Sequence, residues 1–287
     1  MSKKDDFQKS LKELEDNFSG NIGVSVRVLD DGEDGNFTYN EEVSFPTASV
    51  IKVPILVEAL KQVQDGRKYL QKEYELKEKE KVGGSGILKE MSSGTKLNLL
   101  DLLTLMIVIS DNTATNKVID IVGVDSVNES MSKLGLQNIY LSGKLMQNEK
   151  EKKDKEEKST SGEYSKATPE DLLQLLVMLY KGEILNTDET KRAIDIMENQ
   201  HFVTNMIGRY LPYDPEDTPE KSVLRIASKS GAIRGVRNDI GFIWYKDLTY
   251  AVAMMTKNCE DTRFYPDNEG ALTVAKVSKK VYDIVYG

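Results

Sequence analysis

The chain predicts an α+β fold: an antiparallel sheet built from both chain ends and flanked by helices, with an all-helical region inserted between them. Three observations carry this. Apolar and polar residues alternate near both termini, helical periodicity fills the middle, and no internal repeat is visible. At 287 residues the chain is long enough for one large or two small cores.

The elements follow in order. Phe7, Leu11, Leu14 and Phe18 recur at helical spacing, which predicts an amphipathic helix over 5–18. Ile22, Val24, Val26 and Val28 then alternate with Gly23, Ser25 and Arg27, the pattern of a half-buried strand. Asp31-Gly32 and Asp34-Gly35 mark a turn, after which 36–40 can pair back as a second strand. Helices are expected over 49–64, 99–109, 113–121, 125–133, 169–181 and 188–199. Two more strands, 240–246 and 248–256, meet in a turn at Lys246-Asp247. A last helix carries Leu272, Val277, Val281 and Ile284 on one side. The expected organisation is an α/β part made of 1–41 and 200–287, and a helical part over 42–199.

Composition narrows the function. Hydrophobic residues make up 39% and charged residues 30%, as in ordinary globular proteins, and the net charge of −8 is spread along the chain. No basic face is available for phosphates, so a nucleic-acid partner is not expected. No run approaches the ~20 apolar residues of a membrane helix. The start, Met1 to Asp6, lacks the apolar core of a secretory signal, which leaves an intracellular protein or a processed form open. One cysteine, Cys259, allows no intrachain disulfide. One histidine, His201, excludes a multi-histidine metal site and is read as a structural or surface residue. From Glu149 to Lys158 every residue is charged, the pattern of a solvated loop.

Three short motifs carry chemistry. In Ser49-Val50-Ile51-Lys52, a serine opening a helix shares one face with a lysine one turn on. Backbone N–H groups at the helix start surround the hydroxyl, and a desolvated lysine can lose its proton and act as a base. Ser110-Asp111-Asn112 ends the apolar run 102–109. It reads as a capping turn, or as a serine that relays a proton beside an amide that binds a carbonyl. Lys229-Ser230-Gly231 offers a cation, a hydroxyl and a glycine that permits close backbone approach. Read separately, each motif is weak.

In this order the three triplets resemble those of the class A β-lactamases and penicillin-binding proteins. Gly84-Ser85-Gly86-Ile87-Leu88, Asp111 to Asn116 and Arg237-Asn238-Asp239-Ile240 extend the likeness to roughly 15–285. The resemblance implies a β-lactamase/transpeptidase-like fold with the active site between its two parts. It implies Ser49 as acylated nucleophile, Lys52 as its activator and Ser110 as proton relay. Asn112, Lys229 and Ser230 would bind substrate, and the Ser49 and Ala232 N–H groups would form the oxyanion hole. Arg237 would add a guanidinium for the substrate carboxylate, although one residue is missing between Gly231 and Arg237. A class A enzyme also needs a glutamate to activate the deacylating water. The usual Glu-Pro-x-Leu-Asn pattern is absent here, and counting from Leu134-Gly135 gives Glu149, with Glu151 second.

The resemblance further implies a small-molecule β-lactam as substrate, a monomer, no metal or organic cofactor, and a location outside the cytoplasm near the cell wall. Three functions are open: a serine β-lactamase, a penicillin-binding peptidase or esterase-like relative that acylates but deacylates slowly, and a non-catalytic binder of peptidoglycan-like ligands. The last has no need of an activated nucleophile.

Overall fold

A computed structural model describes residues 2–29, 35–146, 164–216 and 223–287. Helix α1 (Lys3–Asp16) leads into β1 (Asn21–Val28) and β2 (Asn36–Tyr39). The chain then enters the helices α2 (Lys52–Gln64), α3 (Leu99–Val108), α4 (Asn112–Val122), α5 (Val124–Lys133), α6 (Pro169–Tyr180) and α7 (Thr187–Glu198). It returns through β7 (Leu224–Ile233), β8 (Val236–Tyr245) and β9 (Leu248–Lys257), and ends in α8 (Glu269–Tyr286).

The main sheet runs β2-β1-β9-β8-β7 and is antiparallel throughout. The first and last strands of the chain therefore pair at its centre, Val24 opposite Met254 and Val26 opposite Val252. Both faces are covered. On one, Phe7 and Leu11 of α1 and Val274 and Val277 of α8 pack on Val24, Val26, Ile243 and Val252. On the other, Ala227, Phe242, Ala251 and Ala253 meet the helical region, including Leu56, Leu103 and Leu176. The α+β expectation holds, because the alternating strands have apolar residues to bury on both sides.

Two small ladders lie outside the main sheet and have no clear sequence signal: β3 (Phe45–Pro46) with β6 (Lys166–Ala167), and β4 (Glu73–Glu75) with β5 (Lys96–Asn98). The first fastens the segment before Ser49 to the segment before α6. Two expected boundaries also move. The helix expected from 49 begins at Lys52, and Ala48–Ile51 form a 3₁₀ turn ahead of it. The strand expected over 240–246 begins at Val236, because β7 and β8 stay paired up to a tight turn at Arg234-Gly235, where Gly235 has a φ of 68°.

Candidate active site

Ser49 sits in the turn Ala48–Ile51, held from three sides. Ala48 takes a φ of 48°, a left-handed conformation that an alanine adopts only when its surroundings impose it. Thr47 donates to the Ser165 carbonyl through its N–H (2.9 Å) and its hydroxyl (3.0 Å). The buried Asn238 amide on β8 donates to the carbonyls of Pro46 (2.9 Å) and Thr47 (3.0 Å). Gly231 on β7 touches the same turn, and a Cβ there would lie 2.9 Å from the Ser49 amide nitrogen and 3.1 Å from that of Val50. The glycine brings the Lys229 triplet against the Ser49 backbone.

Lys52 opens α2 and is fully buried. Its Nζ lies within hydrogen-bond distance of the Ser110 carbonyl (2.8 Å), the Ser110 Oγ (3.0 Å) and the Asn112 Oδ1 (2.9 Å), so that as a free amine it can donate to the two carbonyl oxygens and accept from the Ser110 hydroxyl. Burial pushes this amine well below the ordinary lysine value, and the nearby Lys229 charge pushes it the same way. The first two triplets are thus joined through a single nitrogen.

The link between α3 and α4 is shaped to present that acceptor set. Ser110 has a φ of 56°. The Asp111 carboxylate caps α4 by accepting from Ala114 N–H (2.8 Å), and it also accepts from the N–H groups of Ile87 (2.6 Å) and Leu88 (2.8 Å). Gly86 lies over it so closely that a Cβ would come within 2.2 Å of the carboxyl carbon. Asn112 donates from its backbone to Ser85 O (3.0 Å) and from Nδ2 to Gly83 O (3.1 Å), which aims its Oδ1 at Lys52. The Gly84-Ser85-Gly86 segment therefore acts as a brace for the middle triplet.

Lys229 and Ser230 lie on the edge strand, opposite Ile240 and Asp239. Burial lowers the Lys229 amine to about 7, partly offset by the Asp239 charge. Burial raises the Asp239 carboxyl to about 7 as well. The Ser230 Oγ donates to Gln200 Oε1 at 2.6 Å. Ala232 follows Gly231 on the same strand and is exposed.

Arg237 is placed elsewhere. Its guanidinium donates to the carbonyls of Ile233 (2.7 Å), Val236 (2.8 Å) and Arg263, and stacks 4.9 Å from the Phe264 ring centre. Its hydrogen bonds go to backbone carbonyls, not to Lys229 or Ser230. Glu149 and Glu151 lie outside the described residues. The described chain ahead of them ends at Met146, next to Leu145, whose N–H and carbonyl are both engaged by the Asn116 side chain (2.7 and 2.9 Å). His201 is exposed and Cys259 buried. Among the described residues no cluster of three or more His, Cys, Asp or Glu could hold a metal ion, and no helix is long and apolar enough to cross a membrane.

Asn238 and Asn116 lie inside segments that the sequence had marked by resemblance, but their roles come from distant partners. Gln200 carried no signal.

A family model described as the β-lactamase enzyme family matches residues 6–285. β-Lactamase CARB-3 of Pseudomonas aeruginosa is 25% identical over 245 residues, covering 85% of this chain and 78% of that protein. The structure of a β-lactamase from Sphaerobacter thermophilus is 28% identical, with a TM-score of 0.82 over 96% of this chain and 95% of that one. An acyl-enzyme complex of a PBP-A mutant with penicillin G is 27% identical, with a TM-score of 0.81 over 98% and 96%.

Proposed function

The chain belongs to the β-lactamase enzyme family, and we propose that it opens β-lactam amides through an acyl-enzyme on Ser49. The observation that carries this reading is the buried Lys52 amine, hydrogen-bonded to Ser110 and Asn112 one turn after Ser49. A lysine held well below its ordinary value gives up a proton more readily, and as the free amine it keeps two N–H donors for its partners and one lone pair that can take the Ser49 proton.

The steps follow. Ser49 Oγ loses its proton to Lys52 Nζ and attacks the ring carbonyl. Negative charge gathers on the carbonyl oxygen, where the Ser49 and Ala232 N–H groups would hold it. The ring C–N bond then breaks, and Lys52 returns its proton to the departing nitrogen through Ser110, 3.0 Å away. Lys229 and Ser230 would bind the substrate carboxylate, with Asn112 on its amide. Arg237 as a further contact would require its guanidinium to leave three carbonyls, so it is left out of the reading. Release needs water and a base, for which Glu149 is the candidate.

One observation favours a second reading, a penicillin-binding peptidase that releases its acyl group slowly. The residue that Asn116 clamps at the end of the described chain is the aliphatic Leu145, and Met146 follows it toward Gly84. The hydrogen bonds of Lys52, Ser110 and Asn112 include no carboxylate among the described residues. The likeness to PBP-A points the same way.

A chromogenic cephalosporin, followed by colour and by intact mass, separates these readings. Sustained colour with transient mass gain supports hydrolysis, and a persistent adduct on Ser49 supports the second reading. Ser49→Ala is expected to abolish both signals; antibiotic cleavage surviving that change ends the proposal.

A further inference from the structure

Resting on the acylation reading above, we infer that Gln200 is a positioning residue for substrate carboxylates: it holds the Ser230 hydroxyl proton in the free protein and releases it to an anion on binding. Gln200 follows α7 and is 4% exposed. Its Oε1 accepts from the Ser230 N–H (3.1 Å) and from the Ser230 Oγ (2.6 Å), while its Nε2 donates to Ser228 Oγ (2.7 Å). The amide has only one allowed orientation. A backbone N–H can only donate, so the Gln200 atom facing Ser230 must be the carbonyl oxygen.

A serine hydroxyl has one proton. Directed at Gln200, it leaves only lone pairs for an incoming group, and lone pairs repel a carboxylate. An anion therefore binds Ser230 only after that proton swings outward. The swing does not strand Gln200, because its Oε1 keeps the Ser230 N–H as a donor. Its Nε2 keeps Ser228, which lies beside Asp239, the carboxylate that pulls on Lys229. One buried side chain thus connects both members of the Lys229-Ser230 pair. The expected substrate class is one with a carboxylate near the scissile amide, preferred over neutral analogues.

The test uses Gln200→Glu, which keeps the shape, with a chromogenic cephalosporin and its carboxyl methyl ester as substrates. While the introduced carboxyl is protonated it substitutes for the amide, and the free acid is acylated at a near-normal rate. As pH rises and the carboxyl ionises, it retains the Ser230 proton and repels the anion. Relative to the unaltered protein at the same pH, acylation of the free acid should then fall about ten- to a hundredfold, through KM rather than kcat, with the ester changed less than about threefold. Thermal melting of the variant checks that it folds. Equal losses on acid and ester, or no loss on either, overturn the inference. If the unaltered protein forms no Ser49 adduct with either substrate, the acylation reading itself fails, and the inference fails with it.

Discussion

Among single residues, the proposed reaction gives the two buried lysines opposite tasks, although burial lowers both amines. Lys52 must be neutral to take a proton, and burial together with the Lys229 charge keeps it well below the ordinary lysine value. Lys229 must be charged to hold an anion, and it lies near 7, with Asp239 across the strand pair and Lys52 on α2 as the charged groups facing it. Since the Lys229 value is lowered, the cation is present below about 7 and is lost as pH rises through it. Asp239 titrates in the same range, so the pair loses positive charge there together. For a β-lactam bearing a carboxylate, kcat/KM should therefore decline on the alkaline side of about 7, by up to about tenfold per pH unit. The limb should be weak in kcat, because a bound carboxylate favours the charged lysine. Stopped-flow acylation across roughly pH 5 to 9 measures this, and a flat kcat/KM would remove Lys229 from its role. The residue types at 49, 52, 110 and 229 were legible because their chemistry lies in their own side chains. Gln200 was not, since what it does is set by Ser228 and Ser230, some thirty residues away in the chain.

Among elements, the site depends on a strand and a turn lying closer together than side chains allow. β7 can touch the Ser49 turn only where it lacks a Cβ, at Gly231, and the atoms that a Cβ would meet are backbone: Ser49 N and Thr47 O at 2.9 Å each. Backbone cannot rotate away as a flexible side chain can. Gly231→Ala should push the strand from the turn, costing about 1–3 kcal/mol of stability through overpacking and slowing Ser49 acylation more than tenfold. Thermal melting and intact-mass time courses check the two parts; unchanged acylation would mean that the contact is not needed. Periodicity located β1, β9 and the long helices because each buries a regular face. It misplaced the start of α2, because Ala48–Ile51 wind as a 3₁₀ turn that apolar spacing does not distinguish from the first turn of an α-helix. The two-residue ladder β3–β6 is too short to have a period at all.

At the scale of the molecule, the two chain ends meet in one sheet, so that the strand carrying Lys229 comes to the Ser49 turn from the other half of the sequence. The same closure fastens the loop that leads to Glu149. Tyr140 pairs with Lys166 through both backbone groups (2.8 and 3.0 Å), Ser142 donates to Ser165 (3.1 Å), and Thr47 donates to that residue's carbonyl (2.9 Å). The base of the loop is thus attached to the segment that carries Ser49. Asn116 fixes Leu145 on the way in, and three residues of chain span at most about 11 Å beyond Met146. Such a tether limits how far Glu149 can lie from Met146. If Glu149 is the base, Glu149→Gln should leave Ser49 acylation within about threefold of normal and slow deacylation about 10²–10⁴-fold, so that the adduct accumulates. Pre-steady-state mass spectrometry resolves the two steps. A deacylation rate unmoved by the change, with Glu151→Gln equally silent, would assign release to water without a carboxylate, and the chain would work as a slow-releasing peptidase on the same scaffold.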